Sequence, residues 1–93
     1  MRFVWDPLKE QLNQKKHKVA FKEAVSVFLD PMALRIHDPD HSTSEDRWIM
    51  LGLSFSLNLL VVVFVEREEK TIRIISARKA NRKERENYVK RSK

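Results

Sequence analysis

Apolar residues recur along this chain with two different periods, and the switch between them outlines a fold. Arg2-Phe3-Val4 reads as a short opening strand, after which Asp6 offers a helix N-cap and Pro7 a first helical residue. A helix to about Lys16 is predicted, with Leu8 and Leu12 one turn apart on its buried face. Phe21, Ala24, Val25 and Phe28 then fall at i, i+3, i+4 and i+7, the stripe of a second helix that Asp30-Pro31 ends. From Met32 the period drops to two, so that Met32, Leu34 and Ile36 share one strand face. A polar loop from His37 to Asp46, containing Pro39, leads to a strand from about Arg47 to Phe55. The next strand, Leu57 to Glu66, is apolar on both faces until Glu66, and is expected at the centre of a sheet, at least partly covered on both sides. A charged loop from Arg67 to Lys70 turns the chain into a last strand, Thr71 to Ala77. Asn81 caps a final helix, and Glu84 completes an Asn-x-x-Glu capping box. This order predicts an α+β domain: an antiparallel sheet of about four to five strands, two N-terminal helices and one C-terminal helix, with the helices on one face.

Ninety-three residues make one domain, spanning residues 1–93, and 42% hydrophobic content is enough for a single core. There is no cysteine, which removes thiol nucleophiles and thiolate metal sites and suits a reducing compartment. The longest unbroken apolar run, Leu59 to Val65, falls far short of the ~20 residues that span a bilayer, and Met1 to Lys9 carries no signal-peptide core. A soluble cytoplasmic protein with no membrane contact is expected.

Charge separates the closing segment from the rest. From Lys70 onward ten Lys and Arg face two Glu, a balance of +8, which leaves −2 for the first 69 residues. Such asymmetry points to nucleic acid or to an acidic protein partner, against the alternative of a solvated charged tail. Within this segment Arg73 stands out between Ile72 and Ile74, sharing a strand face with Ile75. A buried unpaired guanidinium is very costly, so its face must open to solvent or supply a partner, with Glu66 and Asp46 as candidates. The functional alternative is a phosphate-binding arginine on a sheet face. Glu66, ending an apolar strand, is either a desolvated base or a residue reaching water. Lys9 and His17, on the first helix, are open to the same two readings.

His37 and His41 flank Asp38-Pro39-Asp40, but Pro39 forbids the regular helix that would align an i, i+4 ligand pair. Neither metal nor any other cofactor is expected. One glycine, Gly52, leaves no phosphate-cradling loop and no dinucleotide fingerprint.

Phe3-x-Trp5-Asp6-Pro7-x-Lys9-x-x-x-Asn13-x-x-Lys16-His17, then Val19-x-Phe21-x-x-Ala24 and Phe28-x-Asp30-Pro31, resembles the BrnT family. Glu45-x-Arg47-Trp48 with Gly52 continues the pattern, and Arg73-Ile74-Ile75-Ser76-Ala77-Arg78-x-Ala80-x-x-x-Glu84-x-x-x-Tyr88 is its most specific stretch. The resemblance spans nearly the whole chain. It implies a fold similar to RelE-type ribonucleases and an RNA-cleaving toxin that stalls translation. It also implies neutralisation by a BrnA-type antitoxin, which supplies the DNA-binding domain so that the complex represses its own operon. The candidate site residues are Lys9, His17, Glu66, Arg73 and Arg78 for catalysis, and Asn13, Lys16, Arg47, Ser76 and Lys79 for RNA binding. The chain departs from the pattern where Lys18 replaces a glycine, Ala20 replaces a Ser/Thr helix cap and Phe64 stands for a frequent tyrosine. The first change stiffens the inter-helix loop, and the second is expected to weaken the start of helix two by ~1 kcal/mol.

Metal-free RNA cleavage uses the ribose 2′-hydroxyl as nucleophile on the adjacent phosphate. It needs a base, cations for the crowded phosphorane and an acid for the leaving oxygen. On this reading Lys9, Arg73 and Arg78 are the cations, Glu66 the base and His17 the acid, with Lys9 able to share either proton role. Two other readings stay open: a non-catalytic basic module binding nucleic acid or an acidic partner, and an inactive toxin relic that still binds antitoxin.

Overall fold

A computed structural model describes residues 1–41 and 45–91. The strands are β1 (Arg2–Val4), β2 (Leu34–His37), β3 (Arg47–Leu53), β4 (Leu59–Arg67) and β5 (Thr71–Lys79). The helices are α1 (Pro7–His17), α2 (Phe21–Ser26) and α3 (Arg82–Arg91). The centre of the expected polar loop, residues 42–44, lies outside the described residues.

The sheet order is β1-β5-β4-β3-β2, with antiparallel pairing throughout except for β1, which runs parallel to β5. The sheet is therefore mixed, not purely antiparallel. The direction of β1 is set by its partner 69 positions away (Arg2↔Thr71, Phe3↔Ile72 and Val4↔Arg73). That register lays Phe3 on the Ile72 face, edge-on to Phe28 with ring centroids 4.9 Å apart.

Helices cover both faces, in contrast to the one-sided arrangement expected. On one face α1 and α2 enclose the main core: Phe21, Ala24, Met50, Leu60, Val62, Phe64, Ile72, Ile74 and Ala77. On the other, Leu51, Leu59, Val61 and Ala80 form a smaller core under Tyr88 of α3. The unbroken apolar run of β4 feeds both, even positions to the first and odd positions to the second.

Local chemistry shifts several boundaries. Helix two tightens after Ser26 into a 3₁₀ turn, Val27–Leu29, which holds Phe28 edge-on to Phe64. Asp30 Oδ1 accepts the Met32 N–H at 2.9 Å, a turn that delays β2 to Leu34 and excludes Met32 from it. Ser54 to Asn58 closes the β3–β4 hairpin, ending β3 at Leu53 and starting β4 at Leu59. β5 continues two residues past Ala77 to Lys79. Gly52 is required by packing, since a Cβ there would stand 2.6 Å from Val27 Cγ1.

Leu8 and Leu12 are exposed, not buried. What α1 buries instead is Asn13. The helix ends at Lys18, whose φ of 61° gives the left-handed cap usually supplied by glycine, with its N–H on Gln14 O at 2.8 Å. Ala20 caps α2 with no side-chain bond, as expected, but Glu10 of α1 accepts the Phe21 N–H at 3.0 Å and compensates in part. Among the described residues no helix is long and apolar enough to cross a membrane.

Candidate nucleic-acid interface

The closing strand gains its chemistry from an irregularity. Ile72 and Ile74 are fully buried in the main core, so Arg73 between them faces the α3 side of the sheet. Regular alternation would then turn Ser76 and Arg78 to the opposite side. The register instead slips between Val63 and Phe64: Phe64 pairs Ile74 whereas Val63 pairs Ser76, leaving Ile75 as the extra residue of a β-bulge. Ala77 returns to the main core, and Ser76 and Arg78 join Arg73 on the α3 side. Ile75, expected to share a face with Arg73, lines a groove beside α1.

The pairing now orders three rows on that face. Arg47 and Arg73 flank Val65, Ile49 and Ser76 flank Val63, and Leu51 and Arg78 flank Val61. Arg47 and Arg73 are half-buried, and among the described residues Arg73 has no carboxylate within ion-pair distance. The two candidate partners are taken elsewhere, Glu66 by Arg35 at 3.0 Å and Asp46 by His37 at 3.2 Å.

Arg78 is aimed by the start of α3. Its two terminal nitrogens donate to the Glu84 carboxylate at 2.9 and 2.8 Å. Glu84 Oε1 also accepts the Asn81 N–H at 2.8 Å while Asn81 Oδ1 accepts the Glu84 N–H at 2.9 Å, so the capping box read from sequence is present. The Glu84 bond raises the Arg78 pKa against the effect of burial, and the Arg78 guanidinium in turn holds Glu84 below the usual carboxylate range. Lys79, at the end of β5, is exposed.

Past Val4, where β1 stops, α1 takes over the outer edge of β5. The Asn13 amide spans Ala77, accepting its N–H at 3.1 Å and donating to its carbonyl at 2.8 Å, and donates a second bond to Val19 O at 2.9 Å. This side chain acts as a one-residue strand partner, closing an edge that would otherwise be open to another chain. Its polar groups are consumed by the fold. Lys9, Lys16 and His17 line the adjacent shallow groove of about 220 Å³ with Leu12, Ile75 and Ser76. Ser76 thus belongs both to this groove and to the arginine-bearing face.

Glu66 lies apart from Arg73 and Arg78. It pairs with Ile72, a main-core residue, so its side chain leaves the sheet on the α1–α2 side. It is exposed and held by Arg35, whose guanidinium carbon sits 4.4 Å from the Trp48 ring centroid and 5.3 Å from that of Phe64. Sequence reading missed Arg35, which meets its partner 31 positions away, and missed the Arg78–Glu84 clamp although it found the cap that Glu84 makes. His37 and His41 pair separately with Asp46 and Asp38. Among the described residues no three His, Cys, Asp or Glu side chains gather as a metal-holding group.

Comparison with known proteins bears on what this arrangement serves. A family described as the ribonuclease toxin BrnT of type II toxin–antitoxin systems matches residues 5–84. Among solved structures, the Brucella abortus ribonuclease toxin BrnT is similar over 88% of this chain and 99% of its own, with 28% sequence identity and a TM-score of 0.66. No curated protein matches.

Proposed function

Because the chain belongs to the BrnT family of ribonuclease toxins of type II toxin–antitoxin systems, we propose that it is an endoribonuclease that cuts RNA without metal, along the lines of RelE-type enzymes. The nucleophile is the 2′-hydroxyl next to the scissile phosphate, and the outcome is inhibited translation in the cytoplasm. The observation that carries this reading is the bulge at Ile75, which gathers Arg73, Ser76 and Arg78 with Arg47 on one open stretch of sheet. Arg73, with no carboxylate within ion-pair distance among the described residues, is the first choice for the phosphorane charge. Arg78, presented by Glu84, is the second.

Proton transfer falls to side chains flanking the same strand. Lys9 and His17 line the groove that shares Ser76 with the arginine face, which favours them as the acid–base pair. Glu66 remains the third candidate, with its ion pair to Arg35 and its opposite sheet face both weighing against it. Lys16, Lys79 and Arg47 suit contacts to neighbouring phosphates. A BrnA-type antitoxin is the partner that neutralises this activity, and operator DNA is bound only through that antitoxin in the complex.

Purified chain incubated with RNA in EDTA tests the reading. The expected products end in a 2′,3′-cyclic phosphate or its hydrolysis product, and DNA of the same sequence stays intact. Arg73→Ala should lower the rate ~100-fold or more. Metal-dependent cleavage, undiminished activity in that variant, or salt-sensitive RNA binding with no cleavage would each refute it.

A further inference from the structure

The β3–β4 hairpin holds apolar side chains outward at a cost to its own backbone. Phe55 and Leu57 are 66% and 77% exposed, and Leu29, whose side chain lines the same groove of about 250 Å³ as Phe55, is 85% exposed. Leu57 also has φ 63°, a left-handed conformation that glycine and asparagine adopt far more readily than leucine. Neither feature is loose. Ser54 Oγ donates to Glu23 Oε2 at 2.6 Å, Asn58 Nδ2 donates to the same oxygen at 2.9 Å, and the Phe55 N–H meets Ser26 Oγ at 2.9 Å. The Leu57 N–H bonds Ser54 O at 2.9 Å, closing the turn. A rigid, strained tip presenting large apolar groups is preorganised for docking.

We infer that the Leu29–Phe55–Leu57 surface is where the antitoxin anchors, through an apolar segment whose acidic flank continues along α3. The inference rests on the neutralisation reading above. Charge decides against RNA here: the groove's one charged lining residue is Asp30, a carboxylate that already accepts N–H from Met32 and Leu53 and the Tyr88 hydroxyl. The Tyr88 bond also makes the surface continuous with α3, whose Arg82, Lys83, Arg85 and Lys90 invite an acidic partner. Area decides against a second copy. Three such side chains offer on the order of 400 Å², about half of what each partner buries in a stable complex, whereas a chain running on along α3 makes up the rest. The Arg73 row lies six residues up β4 from Leu59, about 20 Å away, and Leu57 and Phe55 belong to neither arginine row, so their substitution leaves the cleavage groups unchanged.

Leu57→Asn provides the test because asparagine tolerates the left-handed region, so the variant should fold at least as stably as the parent. Using the purified antitoxin encoded by the neighbouring gene, its Kd is expected to rise at least ~30-fold, with RNA cleavage by the free variant within twofold of the parent. Phe55→Ser should behave alike. In cells, both variants should arrest growth that the antitoxin no longer rescues. A Kd within threefold of the parent overturns the assignment. So does concentration-dependent dimerisation of the parent that Leu57→Asn abolishes, which would give the surface to a second copy. A parent chain that binds no antitoxin refutes the neutralisation reading itself and this surface with it.

Discussion

Asn13 joins the first helix to the last strand, and removing its amide should cost far more than its surface neighbours would suggest. Asn13→Ala deletes three hydrogen bonds of 2.8 to 3.1 Å and leaves the Ala77 N–H, the Ala77 carbonyl and the Val19 carbonyl without that partner at a buried site. At ~1 kcal/mol net for each bond the loss is about 3 kcal/mol, a large share of the stability of so small a domain. Thermal unfolding followed by far-UV circular dichroism should show a fall of about 15 °C in Tm. Asn13→Asp sharpens the reasoning. The introduced carboxylate keeps the bond from Ala77 N–H but faces two carbonyl oxygens where the amide donated, so its folded pKa is raised above the unfolded value. Its stability is then greatest below the unfolded carboxyl pKa of about 4 and lost as pH rises through the folded pKa, so the variant should approach the parent near pH 4 and fall away by pH 7. A drop of under 3 °C for Asn13→Ala, or equal stability of Asn13→Asp and parent at pH 7, would refute the edge-closing role.

Three further outcomes follow from other parts of the fold. Lys18→Gly relieves the left-handed cap of α1 and should stabilise by up to ~1 kcal/mol, read as a rise of several degrees in Tm. Tyr88 is pushed up to about 12 by burial, the bond to Asp30 and that carboxylate's charge, so the stability its neutral form contributes is present below its ordinary value near 10 and lost as pH rises through about 12. Tyr88→Phe should erase that alkaline step. In the acid limb, burial alone would raise Asp30, but the Tyr88 hydroxyl with the Leu53 and Met32 amides holds it below its usual 3.8. Its contribution is present above that value and lost as pH falls through the folded pKa, so Tyr88→Phe should shift the acid unfolding midpoint upward.

Features set by neighbours in sequence were legible, and those set by distant partners were not. Asp6-Pro7 and Asn81-x-x-Glu84 start helices because the groups they satisfy lie within one turn, and both are found where expected. The double apolar pair Ile74-Ile75 was the visible trace of the bulge, yet nothing local distinguishes an extra residue from two buried ones. Arg73 was singled out from its apolar neighbours alone, whereas the separation of Glu66 from it follows from Glu66 pairing with Ile72. Spacing alone puts Leu8 and Leu12 inward, but α1 straddles a sheet edge and turns a polar residue inward to complete it. Local sequence is enough to read β1 as a strand, while its direction depends on a partner at the other end of the chain.

The bulge has an evolutionary corollary. Because the bulge absorbs one extra residue at Ile75, a strand that took Ile75 into the ladder as a regular position would send Ser76 and Arg78 to the wrong side of the sheet without altering either residue, whereas loss of Ile75 together with the bulge would leave Ser76 beside Val63 and Arg78 beside Val61. The bulge and the length of this segment are therefore inherited together, as information of the same rank as its arginines. Relatives that keep the arginines and this length but pair the strand without a bulge would hold the letters of the site without its geometry.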